Sequence, residues 1–164
     1  MRFIRLNSAL KAIGQHLVER YKAQLRIDKT DATHKTLNSL KSEVNSQTIS
    51  ILANKELKYI DEGRKPGAPP PVSAILEWAK AKGIRPNSKT GFRPVQGEKG
   101  MRRMAYFISE SIGAKGTIKR YGGNGSGSGI LEFVYKNNEG KILEDVLSAY
   151  SLDVEEELAK TIKK

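Results

Sequence analysis

The stretch that decides the fold is residues 59–84, YIDEGRKPGAPPPVSAILEWAKAKGI. It predicts an acidic-aromatic turn, then a basic corner of glycine and proline (GRKPGAPPP, residues 63–71, termed the corner below), and then one short helix. The prolines from Pro69 to Pro71 fix φ and exclude a helix before them, and Pro71 suits the first helical position, where no backbone donor is needed. The sequence therefore predicts a rigid corner that aims one short helix.

The helix after the corner has a defined face and a defined end. Gly83 suits the left-handed conformation that follows a helix, and Ile84 can fold back onto the last turn as in a Schellman motif. Apolar residues recur at helical spacing along the segment, and a tryptophan widens the apolar face. They are Val72, Ile75, Leu76 and Ala79, with Trp78 beside them.

Size and composition predict one domain of 164 residues with a modest core. The sequence has no cysteine, which excludes disulfides, thiolate metal sites and cysteine nucleophiles. Its first residues lack an apolar run of signal-peptide length, and no apolar run of 18 residues occurs anywhere. We therefore expect a protein without a membrane span that is made in the cytoplasm.

The net charge of +11 is unevenly placed along the chain. Residues 1–60 hold 11 basic and 5 acidic residues, residues 61–120 hold 13 and 5, and residues 121–164 hold 5 and 8. Basic surfaces favour nucleic acid or acidic partners. A molecule that is basic at one end and acidic at the other also suits head-to-tail self-association. Solubility alone is the competing interpretation.

Apolar periodicity predicts the elements before the corner. A helical stripe over residues 10–25 predicts an amphipathic N-terminal helix with Asn7 or Ser8 as its N-cap. Gly14 weakens such a helix, so it indicates close packing. Residues 40–53 alternate between apolar and polar, which predicts a β-hairpin with one dry face for the helix to cover.

After the corner, the sequence predicts a second strong helix, a strand and a helical tail. The helix begins near Glu98 and ends at the glycines of positions 113 and 116, with Ser109 on its outer face. Residues 130–136, ILEFVYK, are rich in strand-forming residues. The tail from Ile142 has helical spacing and is either one helix or two, broken near Ser151.

We therefore predict an α+β fold, in which an N-terminal helix packs on a small antiparallel sheet, further helices follow the corner, and a strand-helix extension ends the chain. The predicted divisions are an α+β domain over residues 1–116, a glycine-rich linker over 117–129 and the extension over 130–164. The run YGGNGSGSG matches neither a phosphate loop nor a dinucleotide fingerprint, so the linker is the better interpretation.

Few residues offer material for catalysis. His16 sits among ordinary helix residues, and His34 and Asp31 lie in a polar loop, so a solvated or packed imidazole is the better interpretation for both histidines. Asp61 and Glu62 stand beside basic residues, which favours ion pairing over acid-base work. We expect no enzymatic activity, no cofactor and no metal site.

The order of these features resembles the tail-completion or neck proteins of tailed bacteriophages. In those proteins a Thr-containing segment precedes a hairpin, and an aromatic, acidic and glycine turn follows it. Many members continue with a Gly/Pro elbow, a tryptophan-bearing helix that closes on Lys-Gly-Ile, and a helix that begins with basic residues. The resemblance covers roughly residues 5–115. The matching residues here are Tyr59, Glu62, Gly63, Gly67, Pro70, Trp78, Lys82, Gly83, Ile84, Arg102 and Arg103.

The resemblance implies a structural virion protein that forms a ring at the portal–tail junction around the DNA channel. Its implied partners are copies of itself, the portal and other neck or tail proteins, with non-specific contact to packaged DNA. The residues expected to shape the corner and the subunit contact are Tyr59, Gly63, Arg64, Pro66, Gly67, Pro70 and Trp78. The residues expected to contact DNA or an acidic partner are Arg85, Lys89, Arg93, Arg102 and Arg103.

Two other interpretations compete with the ring subunit. A stand-alone, sequence-independent nucleic-acid-binding protein would use the basic residues around the corner, with Trp78 and Phe92 available for stacking. A small enzyme or toxin-like protein would depend on His16 or His34.

Overall fold

A computed structural model of the chain describes residues 3–28, 31, 33–45, 47–86, 97–117 and 127–162. The described residues form helices and one two-stranded antiparallel sheet, so the predicted α+β class is confirmed. The elements are α1 (Ile4–Ile27), α2 (Lys35–Ser39), β1 (Lys41–Asn45), β2 (Thr48–Leu52), α3 (Glu56–Glu62), α4 (Val72–Ala81), α5 (Glu98–Lys115) and α6 (Ile130–Ile162).

The chain forms two compact units. Unit 1 combines residues 1–29, 35–54 and 130–164, and unit 2 combines residues 30–34 and 55–129. Unit 1 holds 14 basic and 11 acidic residues, a formal charge of +3, and unit 2 holds 15 and 7, a formal charge of +8. This division differs from the boundaries expected at residues 116 and 129, because α6 packs on α1.

The β-hairpin turns one face towards α1, as its alternating pattern predicts. Ser42 pairs with Ile51 and Val44 pairs with Ile49 in the antiparallel register, and these four side chains are half-buried. A Cβ placed on Gly14 of α1 would lie 3.0 Å from the Cβ of Ser42. The close packing predicted at Gly14 is therefore confirmed, because the helix approaches the sheet where it has no side chain.

Helix α6 runs antiparallel to α1 within unit 1. The Nε2 atom of His16 lies 3.2 Å from Oδ1 of Asn138, and the Tyr21 hydroxyl donates to the carbonyl of Leu131 at 3.2 Å. The buried amide of Asn138 also donates to the carbonyl of Val134 at 2.7 Å. These polar contacts help to fix the register of the two helices.

The N-terminal end of α1 is capped by a side chain of α6. Oδ1 of Asp153 accepts the N–H of Arg5 at 3.1 Å, and Oδ2 accepts the N–H of Leu6 at 2.9 Å. The first turn of α1 has no acidic residue, so Asp153 supplies the carboxylate that the positive end of the helix dipole favours. The caps predicted at Asn7 and Ser8 are wrong, because the helix begins a turn earlier.

Residues 130–136 are helical, so the strand predicted for them is wrong. They begin a single helix of 33 residues that continues through Ser151 without a break. Local propensity favours a strand here, but Ile130 and Val134 are buried at a spacing of four on the side that packs against α1. Tertiary packing of that helical face outweighs the local preference.

Unit 2 packs α4 against α5 through small side chains. Ala79 of α4 is fully buried, and so are Ala105, Ser109 and Gly113 at a spacing of four along α5. The position predicted for Ser109 on the outer face is therefore wrong: its residue is 1% exposed. Small residues at this spacing allow two helices to approach closely.

The ends of the helices in unit 2 follow the glycines. Gly83 has φ +66°, its N–H donates to Lys80 at 3.1 Å, and the N–H of Ile84 donates to Ala79 at 2.9 Å, which confirms the predicted Schellman motif. Pro71 is the N-cap of α4, one position before the first helical residue. The acidic-aromatic turn predicted over residues 59–62 is wrong, because these residues form the end of α3.

Candidate subunit interface at the corner

The corner is hydrogen-bonded to α5 and to Thr117, two residues after that helix ends. At its start, the N–H of Arg64 donates to the Thr117 hydroxyl at 2.8 Å, and the N–H of Thr117 donates to the Arg64 carbonyl at 2.7 Å. The result is a reciprocal pair between residues 53 positions apart. Gly116 lies beside this pair with φ +67°, and a Cβ there would clash with the Arg64 carbonyl.

Further along, the corner packs on the last turns of α5. The N–H of Gly67 donates to the Gly113 carbonyl at 2.8 Å, and the Ser109 hydroxyl donates to the Pro70 carbonyl at 2.5 Å. A Cβ on Gly113 would lie 2.8 Å from Cγ of Pro69 and 3.1 Å from the Gly67 carbonyl oxygen. The backbone of the corner therefore lies directly against a helix surface that only glycine leaves open.

The predicted residues at the start of the corner form one small cluster. Gly63 ends α3 with φ +76°, and the Arg64 guanidinium lies 5.2 Å from the centre of the Tyr59 ring. The same guanidinium donates to the Ala68 carbonyl. Tyr59 is 47% exposed, so this cation–π contact stands at the surface. The cluster orders the corner and leaves an aromatic side chain available to a partner.

The outer side of the corner is open to solvent. Residues 65–69, which include the predicted Pro66 and Gly67, are exposed. Trp78 of the following helix is half-buried. The other large apolar side chains of α4 are also half-buried, and only Ala79 on this helix is fully buried. An exposed, hydrogen-bonded loop beside a half-covered apolar helix is a suitable surface for a protein partner.

The basic residues predicted to contact DNA do not all belong to this surface. Arg102 and Arg103 lie in the first turns of α5, whereas the corner contacts residues 109–117 at its other end. At 1.5 Å per residue the two regions are about 15 Å apart along the helix. Arg85 is exposed after α4. Lys89 and Arg93 lie outside the described residues.

The two arginines of α5 each have a partner. Arg102 forms an ion pair with Glu98 at 3.0 Å, and both side chains are exposed. The guanidinium of Arg103 lies 5.7 Å from the centre of the Phe107 ring. An exposed ion pair of this kind is weak, so the Arg102 charge is available to exchange Glu98 for a phosphate or a partner carboxylate.

The histidines have structural surroundings. His16 is half-buried and belongs to the hydrogen-bonded contact with Asn138 between α1 and α6. His34 is exposed with φ +56°, and its backbone N–H donates to the Asp31 carbonyl at 3.4 Å. No group of three or more metal-ligating side chains occurs among the described residues.

No protein-family model, curated protein or solved structure matches this chain. Within the described ranges, no helix is both long enough and apolar enough to cross a membrane. The interpretation of the corner therefore depends on its own geometry and on the resemblance described above.

Sequence reasoning missed the residues that hold the corner from the α5 side. Ser109, Gly113 and Thr117 are spaced by four, and together with the glycine at 116 they make the contacts that fix the corner. A small-residue pattern of this kind was visible in the sequence. The apolar stripe alone does not reveal it, because these small residues lie outside that stripe.

Proposed function

We propose that the chain is a structural subunit of the head–tail junction of a tailed bacteriophage, in which copies assemble into a ring around the DNA channel. The observation that carries the proposal is the corner. Its backbone is bonded at both ends, to Thr117 and to α5, while residues 65–69 face solvent. A surface that is ordered before it binds loses little conformational entropy on association. The segment that bears the family resemblance therefore has the properties of an assembly contact.

The polar groups around the corner act in structure. The Ser109 hydroxyl and the Thr117 hydroxyl accept or donate bonds to corner backbone, and the Arg64 guanidinium lies over Tyr59. These side chains are engaged in contacts within the protein, whereas a catalytic centre would have to present them to a substrate. They support a structural role for these residues.

The charge distribution supports a channel-side position. Unit 2 carries 15 basic and 7 acidic residues, and a protein that surrounds DNA without reading its sequence needs positive charge and no base-reading motif. A closed ring also needs two different surfaces on each subunit. The two units have different formal charges, +8 and +3, so their surfaces differ in net charge.

Electron microscopy and mass photometry of the purified chain test the proposal. We expect annular particles, alone or after addition of a portal protein. Ala68→Arg places a large charged side chain on the exposed corner and is expected to prevent assembly. Ala12→Arg is the matched control, because Ala12 is exposed on α1 in unit 1. A chain that stays monomeric at ~100 μM and does not bind portal would contradict the proposal.

A second candidate function is sequence-independent nucleic-acid binding by a monomer, which the excess of basic residues in unit 2 favours. It predicts micromolar binding to duplex DNA whose affinity falls steeply with salt. Fluorescence anisotropy at several salt concentrations, combined with the mass measurement, separates the two functions. Tight binding by a monomer favours the second, and annular particles with weak DNA affinity favour the first.

A further inference from the structure

Helix α6 has two apolar faces, and in the part of the chain that the structure describes only one of them is covered. The face against α1 holds buried residues such as Val134 and Ala149. The opposite face bears an apolar row at spacings of three and four, termed the α6 stripe. The row consists of Leu143 (58% exposed), Leu147 (57%), Tyr150 (46%), the half-buried Val154, Leu158 (57%) and Ile162 (83%). A helix that is apolar on two sides requires a second partner.

Acidic residues border the α6 stripe. The helix holds eight acidic and three basic residues. Among the described residues, Glu144 and Glu155 beside the stripe form no ion pair, whereas Glu156 bonds Lys160 at 2.8 Å and Arg5 at 2.6 Å. The stripe is therefore apolar at its centre and negative at its margins.

The outer face of α5 has the complementary composition. Tyr106 is 50% exposed and Phe107 is 46% exposed, and their ring centres are 5.8 Å apart. Arg103 lies over the Phe107 ring, and Lys99 is exposed one turn earlier. This surface, termed the α5 face, is aromatic at its centre and positive at its margin, and Glu110 stands at its far end.

We infer that the α6 stripe binds the α5 face of a second copy of this chain. Charge complementarity identifies the occupant, because the stripe borders on Glu144 and Glu155, which form no ion pair among the described residues, and the α5 face borders on cations. Apolar and aromatic side chains at the centre with charges at the rim are the usual anatomy of a specific interface. The contact joins two different surfaces, so it is heterologous, and repetition of it generates a ring or a filament.

This inference rests on the proposed self-assembly of the chain and names one pair of surfaces that takes part in it. The corner then serves a different contact, since it lies at the opposite end of α5 from Arg103. Substitutions on the α6 stripe and on the corner are expected to weaken assembly separately.

Because the sequence has no cysteine, a cysteine introduced by substitution is the only thiol that a cross-linker can modify. Two full-length variants, Glu110→Cys on the α5 face and Leu147→Cys on the α6 stripe, carry different affinity tags and are mixed before a short bismaleimide is added. We expect covalent dimers that carry both tags. The matched control replaces Leu147→Cys by Ser148→Cys, the exposed neighbour one residue on, which points about 100° away around the helix. Its yield is expected to be at least ~10-fold lower.

Charge reversal gives a second readout. Glu144→Lys with Glu155→Lys is expected to raise the apparent dissociation constant of self-association at least ~10-fold, because like charges then meet at the rim. Adding Lys99→Glu and Arg103→Glu to the same chain is expected to restore association, which a general loss of folding would not allow.

The outcomes separate the contact from the proposed ring. Annular particles without cross-links between positions 110 and 147 would overturn the contact and leave the ring intact. Cross-links of the Leu147→Cys variant to itself would also overturn it, because they show the stripe meeting its own copy. A chain that is monomeric in every assay would overturn both the contact and the ring. Dimers carrying both tags, with the Ser148→Cys control low, support the inference.

Discussion

Replacement of Gly113 by alanine tests whether the corner depends on its contact with α5. Two opposing effects determine the result. Alanine is favoured over glycine inside a helix by about 1 kcal/mol, which stabilises the variant. Against this gain, the new Cβ would lie 2.8 Å from Pro69 Cγ and 3.1 Å from two backbone atoms of the corner, the Gly67 oxygen and the Pro69 Cα.

The clash is expected to outweigh the gain in helix propensity. Overpacking a tight contact costs about 1–3 kcal/mol. A corner that moves away also strains the bond from Gly67 to Gly113 and the bond from Ser109 to Pro70, each worth about 0.5–1.5 kcal/mol. We expect the free energy of unfolding of unit 2 to fall by about 1–3 kcal/mol relative to the native chain.

The single tryptophan makes the measurement specific. Trp78 lies on α4 in unit 2, so urea unfolding followed by tryptophan fluorescence reports on the unit that contains the substitution. Ala114→Gly provides the control for helix propensity at the adjacent exposed position, and it is expected to destabilise by no more than about 1 kcal/mol. A Gly113→Ala variant that is as stable as the native chain, or more stable, would refute the close approach of the corner to α5.

Three further predictions concern unit 1. Gly140→Ala is expected to raise the free energy of unfolding by about 0.5–1 kcal/mol, since a Cβ there meets no atom within 4 Å. In Gly14→Ala the new Cβ would lie 3.0 Å from a side-chain atom of β1. In circular-dichroism melts, Gly14→Ala should therefore be at least ~1 kcal/mol less stable than Gly140→Ala. Asp153→Ala removes the cap of α1 and is expected to cost about 2–3 kcal/mol in urea unfolding, with Asp153→Asn losing less because it keeps one acceptor; equal stability of all three proteins would disprove the cap. The hydrogen bond from Lys160 lowers the pKa of Glu156 below its ordinary 4.5. The stabilisation by the Glu156 carboxylate is therefore present above pH 4.5 and is lost as the pH falls through the lowered pKa. In a Glu156→Gln variant the melting temperature should change less between about pH 5 and pH 3, and an unchanged acid profile would count against the ion pair.

Local patterns predicted the elements whose own sequence determines them. The stripe over residues 10–25 and the alternation over residues 40–53 gave α1 and the hairpin, since each element buries one face. The end of α4 was predicted in detail, because a glycine and the apolar residue after it are sufficient for a Schellman motif. Gly14 was assigned to close packing for a similar reason: a glycine inside a helix requires an explanation.

Long-range contacts could not be predicted in the same way. The cap of α1 comes from Asp153, 147 or 148 positions away in the sequence, and a local reading finds only the polar residues at positions 7 and 8. Residues 130–136 have strand-forming side chains, and their helical state depends on packing against α1. The corner was located from its prolines, but its attachment to α5 depends on residues around Gly113 that the sequence does not place beside it.

The discontinuity of unit 1 has a consequence for synthesis on the ribosome. Helix α1 emerges before unit 2, but the helix that covers and caps it runs from Ile130 to Ile162, after the whole of unit 2. Domains generally fold as units while the chain emerges, so unit 2 can fold while α1 still exposes the side that α6 covers. A nascent chain therefore completes α6 only after unit 2 has been translated, and the proposed contact through the α6 stripe can form only from that point.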